Sequence, residues 1–268
     1  IYCYGIPLSQ TGKSMLPTEE KGWVRFYRSV NVLQVRTSAL LCTITGYGAG
    51  EREGAARRIL PTGGTISHLW QARFGTVQAA SRGINYAVEV SNMNELPATG
   101  CLTPRVEAVI NGAVFSNLFE SRALLSPRGD SVTDDRFEVR ARGRLMSAEG
   151  KDSGLVYIIT YRFEGGTISK EIAVEGSRKA KLRSVEPVVF ARGCDVLPLE
   201  SGVEIKHPKG SSCILRVSAG DARVRKVSRD DVVWSAIPAL YALPIVIEPA
   251  KHADPCKISY RIELRDWE

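Results

Sequence analysis

Three histidines are the first residues to weigh for chemistry, and only one has neighbours that suggest a site. His207 stands before Pro208 in a turn, and His252 lies in a polar loop before Asp254-Pro255, so both read as surface residues. His68 lies in Thr62-Gly63-Gly64-Thr65-Ile66-Ser67-His68-Leu69-Trp70, among apolar and aromatic residues. Strict alternation puts Ile66, His68 and Trp70 on one face and Ser67 and Leu69 on the other. His68 is therefore either a satisfied core histidine or a weak candidate for general acid/base catalysis and sugar contact.

The stretch around it, residues 62–107, is the richest in polar and aromatic groups. It carries His68, Trp70, Gln71, Arg73, Tyr86, Glu89, Asn92, Asn94 and Arg105. Small-ligand sites combine apolar contact with a few convergent polar groups. An aromatic ring suits the apolar side of a pyranose. Arg73 or Arg105 could grip a carboxylate through two parallel hydrogen bonds. On this basis His68, Trp70, Arg73, Tyr86, Glu89, Asn92 and Arg105 form the candidate substrate-binding set. The competing reading is a strand–turn–strand core with a polar edge.

Other constellations give less. Gly12-Lys13-Ser14 resembles the tail of a phosphate-binding loop, but the glycine required five positions earlier is Pro7. No serine sits in a GxSxG elbow, and no histidine pair has metal-ligand spacing. Glu89, Glu95, Glu107 and Glu120 are available carboxylates, but the separation that glycoside hydrolysis needs cannot be read from sequence. No two of the six cysteines lie close together. Cys42, Cys213 and Cys256 fall within apolar strand patterns and read as small core residues. The expectation is no cofactor and no metal.

The elements that must position these groups are strands. Cys256, Ile258, Tyr260, Ile262 and Leu264 alternate with Lys257, Ser259, Arg261, Glu263 and Arg265. Successive strand side chains point to opposite faces, so one face is apolar and the other wet. Phe137, Val139, Ala141 and Leu145 repeat the pattern, as do Tyr157, Ile159, Tyr161 and Phe163. Gly165-Gly166 then separates that run from Ile168, Ile172 and Val174, which predicts a hairpin over residues 154–176 with positive φ at both glycines. Further strands are predicted over 23–35, 40–47, 65–70, 76–80, 84–90, 105–110, 114–120, 183–190, 203–206, 213–217, 222–227 and 243–247. The segment 230–241 permits at most a short helical turn. Many short strands without a long amphipathic helix predict an all-β fold, a large antiparallel β-sandwich.

With 268 residues, 44% hydrophobic and 24% charged, the chain is long enough for a sizeable core. Residues 1–21 read as an irregular lead-in from an upstream segment, and 22–268 as the sandwich, with a soft division near 129–135. No apolar run reaches the length of a membrane helix. The net charge of +7 permits attraction to polyanions. With no nucleic-acid motif and no membrane segment, acidic polysaccharide or oligosaccharide is the preferred partner. Localisation stays open: a secreted or periplasmic parent, or a cytoplasmic one, since the cysteines give no disulfide pattern.

The strand pattern, the opening Trp23-Val24-Arg25-Phe26 to Arg36 strands, the Gly63-Gly64 to Trp70 segment and the alternating final strand resemble the β-supersandwich region of polysaccharide lyases. In those proteins, including heparinase II/III-like ones, this region follows an (α/α) toroid. The resemblance covers most of residues 20–265 and implies a galactose-mutarotase-like supersandwich. It also implies an upstream helical toroid of the same parent protein as a partner, supplying the tyrosine that removes the proton α to the uronate carboxylate. An HGHAD-type histidine motif, seen at the start of the heparinase-type sandwich, is absent here, so no catalytic residue carries over. Three functions remain open: the cleft wall of a polysaccharide lyase, a stand-alone carbohydrate-binding module, and an autonomous sandwich hydrolase or lyase.

Overall fold

The computed structural model describes residues 22–47, 62–80, 102–120, 122–176, 180–218, 220–227, 231, 233–234, 240–251 and 253–266. The expected lead-in over 1–21 and the strand over 84–90 lie outside them. The described residues form nineteen β-strands and no α-helix.

The front sheet runs β8 (Leu124–Thr133), β9 (Arg136–Met146), β10 (Asp152–Glu164), β11 (Thr167–Glu175), β19 (Cys256–Asp266), β15 (Ser211–Val217), β14 (Gly202–His207) and β13 (Asp195–Leu199). All its pairings are antiparallel. The back layer begins with β1 (Trp23–Tyr27), β2 (Val32–Arg36), β3 (Leu40–Thr45), β4 (Thr65–Gln71) and β5 (Gly75–Ala79), paired in that order. β5 packs against β12 (Lys181–Ala191). β12 pairs with β6 (Arg105–Ile110) and β18 (Leu240–Pro249), and β18 with β16 (Ala222–Val224) and β17 (Val233–Trp234). β7 (Ala113–Ser116) completes the set beside β6. β8 joins the layers: its first half pairs with β9, and Ser131 near its end meets Trp23 of β1. The two layers close over one continuous apolar core.

The alternation read from the sequence sets the inner faces. Tyr157, Ile159, Tyr161 and Phe163 of β10 are buried, as are all five apolar positions of β19. The predicted hairpin forms, with Glu164 opposite Thr167. Its two glycines act differently, however. Gly165 has φ +54, whereas Gly166 is held by closeness: a Cβ there would lie 2.5 Å from the Leu264 carbonyl oxygen.

Local corrections have physical causes. The single strand expected over 23–35 is a hairpin, because a 3-10 turn at Arg28–Val30 and Asn31 at φ +49 reverse the chain. The strand expected over 114–120 stops at Ser116, whose side chain accepts a hydrogen bond from the Leu118 amide and caps a second 3-10 turn at Asn117–Phe119. In the segment 230–241, the residues Val233–Trp234 are a strand paired with β18. His207 is not a surface residue: it is 7% exposed, packs against Phe74 and accepts the Lys209 amide at Nδ1. Residues 129–135 form the end and turn of the β8–β9 hairpin.

Candidate functional site

The outer face of β1–β5 carries the strongest group of ligand-type side chains. Register places Trp23, Arg36, Leu41, Trp70 and Thr76 on one rung across the five strands. The next rung holds Arg25, Gln34, Thr43, His68 and Ala79. Two guanidinium groups lie over indole rings: Arg25 4.5 Å from the Trp23 centroid, and Arg36 5.6 Å from that of Trp70. Such stacking holds an arginine by its face and keeps its positive charge beside the indole. Arg25 is exposed and Arg36 only 7% so. The Trp23 indole Nε1 is buried without an acceptor among the described residues. An indole N–H can only donate, so this position suits an incoming oxygen.

His68 and Trp70 share this face, but Ile66 does not. A bulge at Ser67 sets Thr43 opposite His68 and Ile44 opposite Ile66, so the chain changes phase and Ile66 turns into the core. Ser67 fixes the irregularity: its hydroxyl accepts from Thr45 Oγ1 at 2.9 Å and donates to the Thr43 carbonyl at 3.3 Å. His68 is half-buried, and loss of hydration lowers its pKa from the ordinary 6.5. Its imidazole is therefore neutral at neutral pH, with one nitrogen to donate and one to accept.

β4 is aimed from the opposite layer. Tyr157 and Tyr161 donate to the carbonyls of Gly63 and Gly64 at 3.0 and 2.8 Å, and Asn117 Nδ2 adds a 3.1 Å bond to Gly63. The turn that launches β4 is thus anchored through the core. At its far end Gln71 accepts the amides of Arg73 and Phe74 and donates to Asp266 at 2.7 Å.

The other predicted residues scatter. Arg73 lies in the β4–β5 turn, exposed and 3.8 Å from Asp266. Arg105 is 2% exposed on β6, where its guanidinium bonds Glu107. Its position gives it a structural partner in place of an open edge. Glu107 also receives Arg183 at 2.5 Å. Burial alone would raise the Glu107 pKa, but the two guanidinium groups outweigh it and hold the carboxyl below its usual range. Tyr86, Glu89, Asn92 and Asn94 lie outside the described residues. Reading the sequence for a site missed Trp23, Arg25, Gln34 and Arg36. Their signal was the same two-residue phase, carried on strands well separated in sequence from His68.

Residues 24–264 match the ulvan lyase C-terminal domain family. The chain belongs to that family. Solved structures share its architecture at low identity. A heparinase III superposes with a TM-score of 0.58 and 13% identity over 91% of this chain and 36% of its own. The heparan sulfate lyase HepC from Pedobacter heparinus gives 0.56 and 8% over the same shares, 91% and 36%. A galactose mutarotase-like protein from Clostridium acetobutylicum aligns at 0.47 and 8%, over 91% and 98%. No curated protein sequence matches. The ulvan lyase C-terminal domain described here spans about a third of the two lyases' length. It is a polysaccharide lyase-associated β-supersandwich domain.

Proposed function

We propose that this domain forms one wall of the substrate cleft of a lyase acting on acidic polysaccharide, with the outer face of β1–β5 against the glycan. The observation that carries the reading is the shared rung of Trp23, Arg36 and Trp70, with Arg25 and His68 beside it. Indole faces cover the apolar side of a sugar ring, the positive charge of the neighbouring guanidinium groups attracts its carboxylate, and neutral His68 bonds a hydroxyl. Among the candidates, Arg73 flanks this face, and Tyr86, Glu89 and Asn92 are assigned to the same glycan contact from sequence alone. Proton removal α to the uronate carboxylate falls to an upstream helical domain of the parent protein.

Calorimetry with uronate oligosaccharides tests this. Trp70→Ala and Arg36→Ser should each weaken binding about tenfold, the scale of one lost charge-assisted or stacking contact, with the domain still folded. Unchanged affinity in both would refute the cleft wall. Incubation of the domain alone with the polymer should produce no unsaturated product. Robust turnover would make it an autonomous enzyme.

A further inference from the structure

The outer face of the front sheet, on the other side of the molecule, presents a shallow trough. Its floor lies on β10 and β11. One rung there reads Arg142, Ile158, Ala173, Lys257 across β9, β10, β11 and β19. The neighbouring rung reads Arg140, Thr160, Glu171, Ser259. On the first rung long cationic side chains on β9 and β19 stand on either side of Ile158 and Ala173; on the second, Glu171 of β11 reaches back to Arg162 of β10. Thr160 is 5% exposed although it points away from the core, as expected of a floor overhung by its neighbours. Three strand spacings separate the walls, about 14 Å.

Charge on this face is unevenly compensated. Glu138 is surrounded by Arg128, Arg140 and Arg162, Glu171 pairs with Arg162, and Asp152 pairs with Arg144. After that pairing, Arg142, Arg216, Lys257 and Arg261 make no ion pair among the described residues. Glu175, exposed at one end, is an acidic group also without one. Arg216 and Arg261 stand directly opposite each other on β15 and β19. Like charges in that relation destabilise a sheet. A merely solvated rung would alternate in sign, as Arg128, Glu138 and Arg162 do on the same face.

We infer that this trough is a second binding surface for an acidic polysaccharide chain, separate from the cleft wall; the ligand class rests on the function proposed above. Uncompensated guanidinium groups on both sides of a narrow, shallow floor suit one strand bearing carboxylate or sulfate groups, each taken by paired N–H donors. The face fits nucleic acid poorly. The aromatic side chains Tyr157, Tyr161, Phe163 and Tyr260 of its strands all point into the core, so no stacking platform faces outward. A surface of this kind would hold polymer on the protein between cleavage events.

Calorimetry on the whole chain with heparan sulfate and polygalacturonate, against neutral dextran and a DNA duplex, tests the inference. The double variant Arg142→Ser/Arg261→Ser should weaken binding of the acidic glycans about tenfold or more, with a shallower salt dependence. His68→Ala/Trp70→Ala should act independently, the two losses multiplying in the quadruple variant. If the arginine variant binds as the parent does while His68→Ala/Trp70→Ala abolishes binding, the trough is refuted and the cleft wall stands. If only the arginine variant loses binding, the trough stands and the cleft wall fails. DNA binding as tight as glycan binding would overturn the ligand assignment. Both arginine positions are exposed, and an unchanged circular dichroism spectrum verifies folding.

Discussion

Lys170 of β11 and Glu186 of β12 form an ion pair across the two layers, in the middle of the core. Lys170 is 2% exposed and Glu186 0%. Lys170 lies between the rings of Tyr161 and Tyr260, its ammonium 5.4 and 5.5 Å from their centroids. Glu186 also accepts the Tyr260 hydroxyl and, at 2.6 Å, Gln78 Nε2. Tyr260 shares a 2.9 Å hydrogen bond with Ser184. Burial, and then the nearby Glu186 charge, push the Tyr260 hydroxyl well above its ordinary pKa, so it stays a donor. β5, β11, β12 and β19 are thus registered against one another at a single polar point. Together with the Tyr157 and Tyr161 bonds to the Gly63 and Gly64 carbonyls, it adds direction to layers held mainly by apolar contact.

The first prediction follows from this pair. Lys170→Met leaves the buried Glu186 without its cation, and should cost about 3–5 kcal/mol. Lys170→Met/Glu186→Leu removes both charges and should recover most of that loss. Urea unfolding of the three proteins measures it. A double variant as unstable as the single one would mean that the hydrogen bonds to Tyr260 and Gln78 matter more than the charges.

The second concerns acid stability. The folded-state pKa of Glu107 is depressed, so its contribution is present above the unfolded value, near 4.3, and is lost as pH falls through the lower folded value. Glu107→Gln should therefore be less stable than the parent at neutral pH, and the gap should narrow below about pH 4. Thermal melts across pH 3–7, within about this range, follow it. A gap constant with pH would show that Arg105 and Arg183 do not depend on the charge of Glu107.

His68 carries the opposite charge type and the same direction of pH dependence. Its folded pKa lies below 6.5, so the unfolded chain takes up more protons as pH falls from 6.5 towards the folded value, and stability declines over that window. NMR titration should place the His68 midpoint below 6.5, and His68→Gln should flatten the melting temperature in that range. A midpoint above 6.5 would indicate that an acidic neighbour dominates over burial.

How much of this was legible follows from the two-residue period. The inner stripes of β10 and β19, the 154–176 hairpin and the fold class could be read directly, because burial on one face leaves a mark at every second residue. Lys170 sits in the same inward phase as Ile168, Ile172 and Val174, yet a lysine reads as outward unless its partner across the core is known. The Ser67 bulge erased the phase of Ile66, since one extra residue exchanges faces without altering composition. Arg105 reads as an exposed ligand group because nothing local shows that β6 is covered, with Arg105 bonded to Glu107 two residues on and Glu107 set against Arg183 by strand pairing. Trp23 and Arg36 reach Trp70 only through β-register across four strands, which local spacing does not encode.

The last prediction links the core to the candidate site. Gly64 has φ +70, and a Cβ there would lie 2.1 Å from that of Ala141. Gly64→Ala should therefore fold poorly, through both clash and strain. A gentler test is Tyr161→Phe, which keeps the ring in the core and removes only the 2.8 Å bond to Gly64. That loss should cost about 1–2 kcal/mol, the penalty for a buried carbonyl left without its donor. If the turn aims β4, Tyr161→Phe should also weaken glycan binding through His68 and Trp70, although it lies on the other layer. Tyr157→Phe, acting on Gly63, which Asn117 also holds, should do so less. Calorimetry on the two folded variants distinguishes them. Equal and unchanged affinities would mean that the strand keeps its aim from β3 and β5 alone.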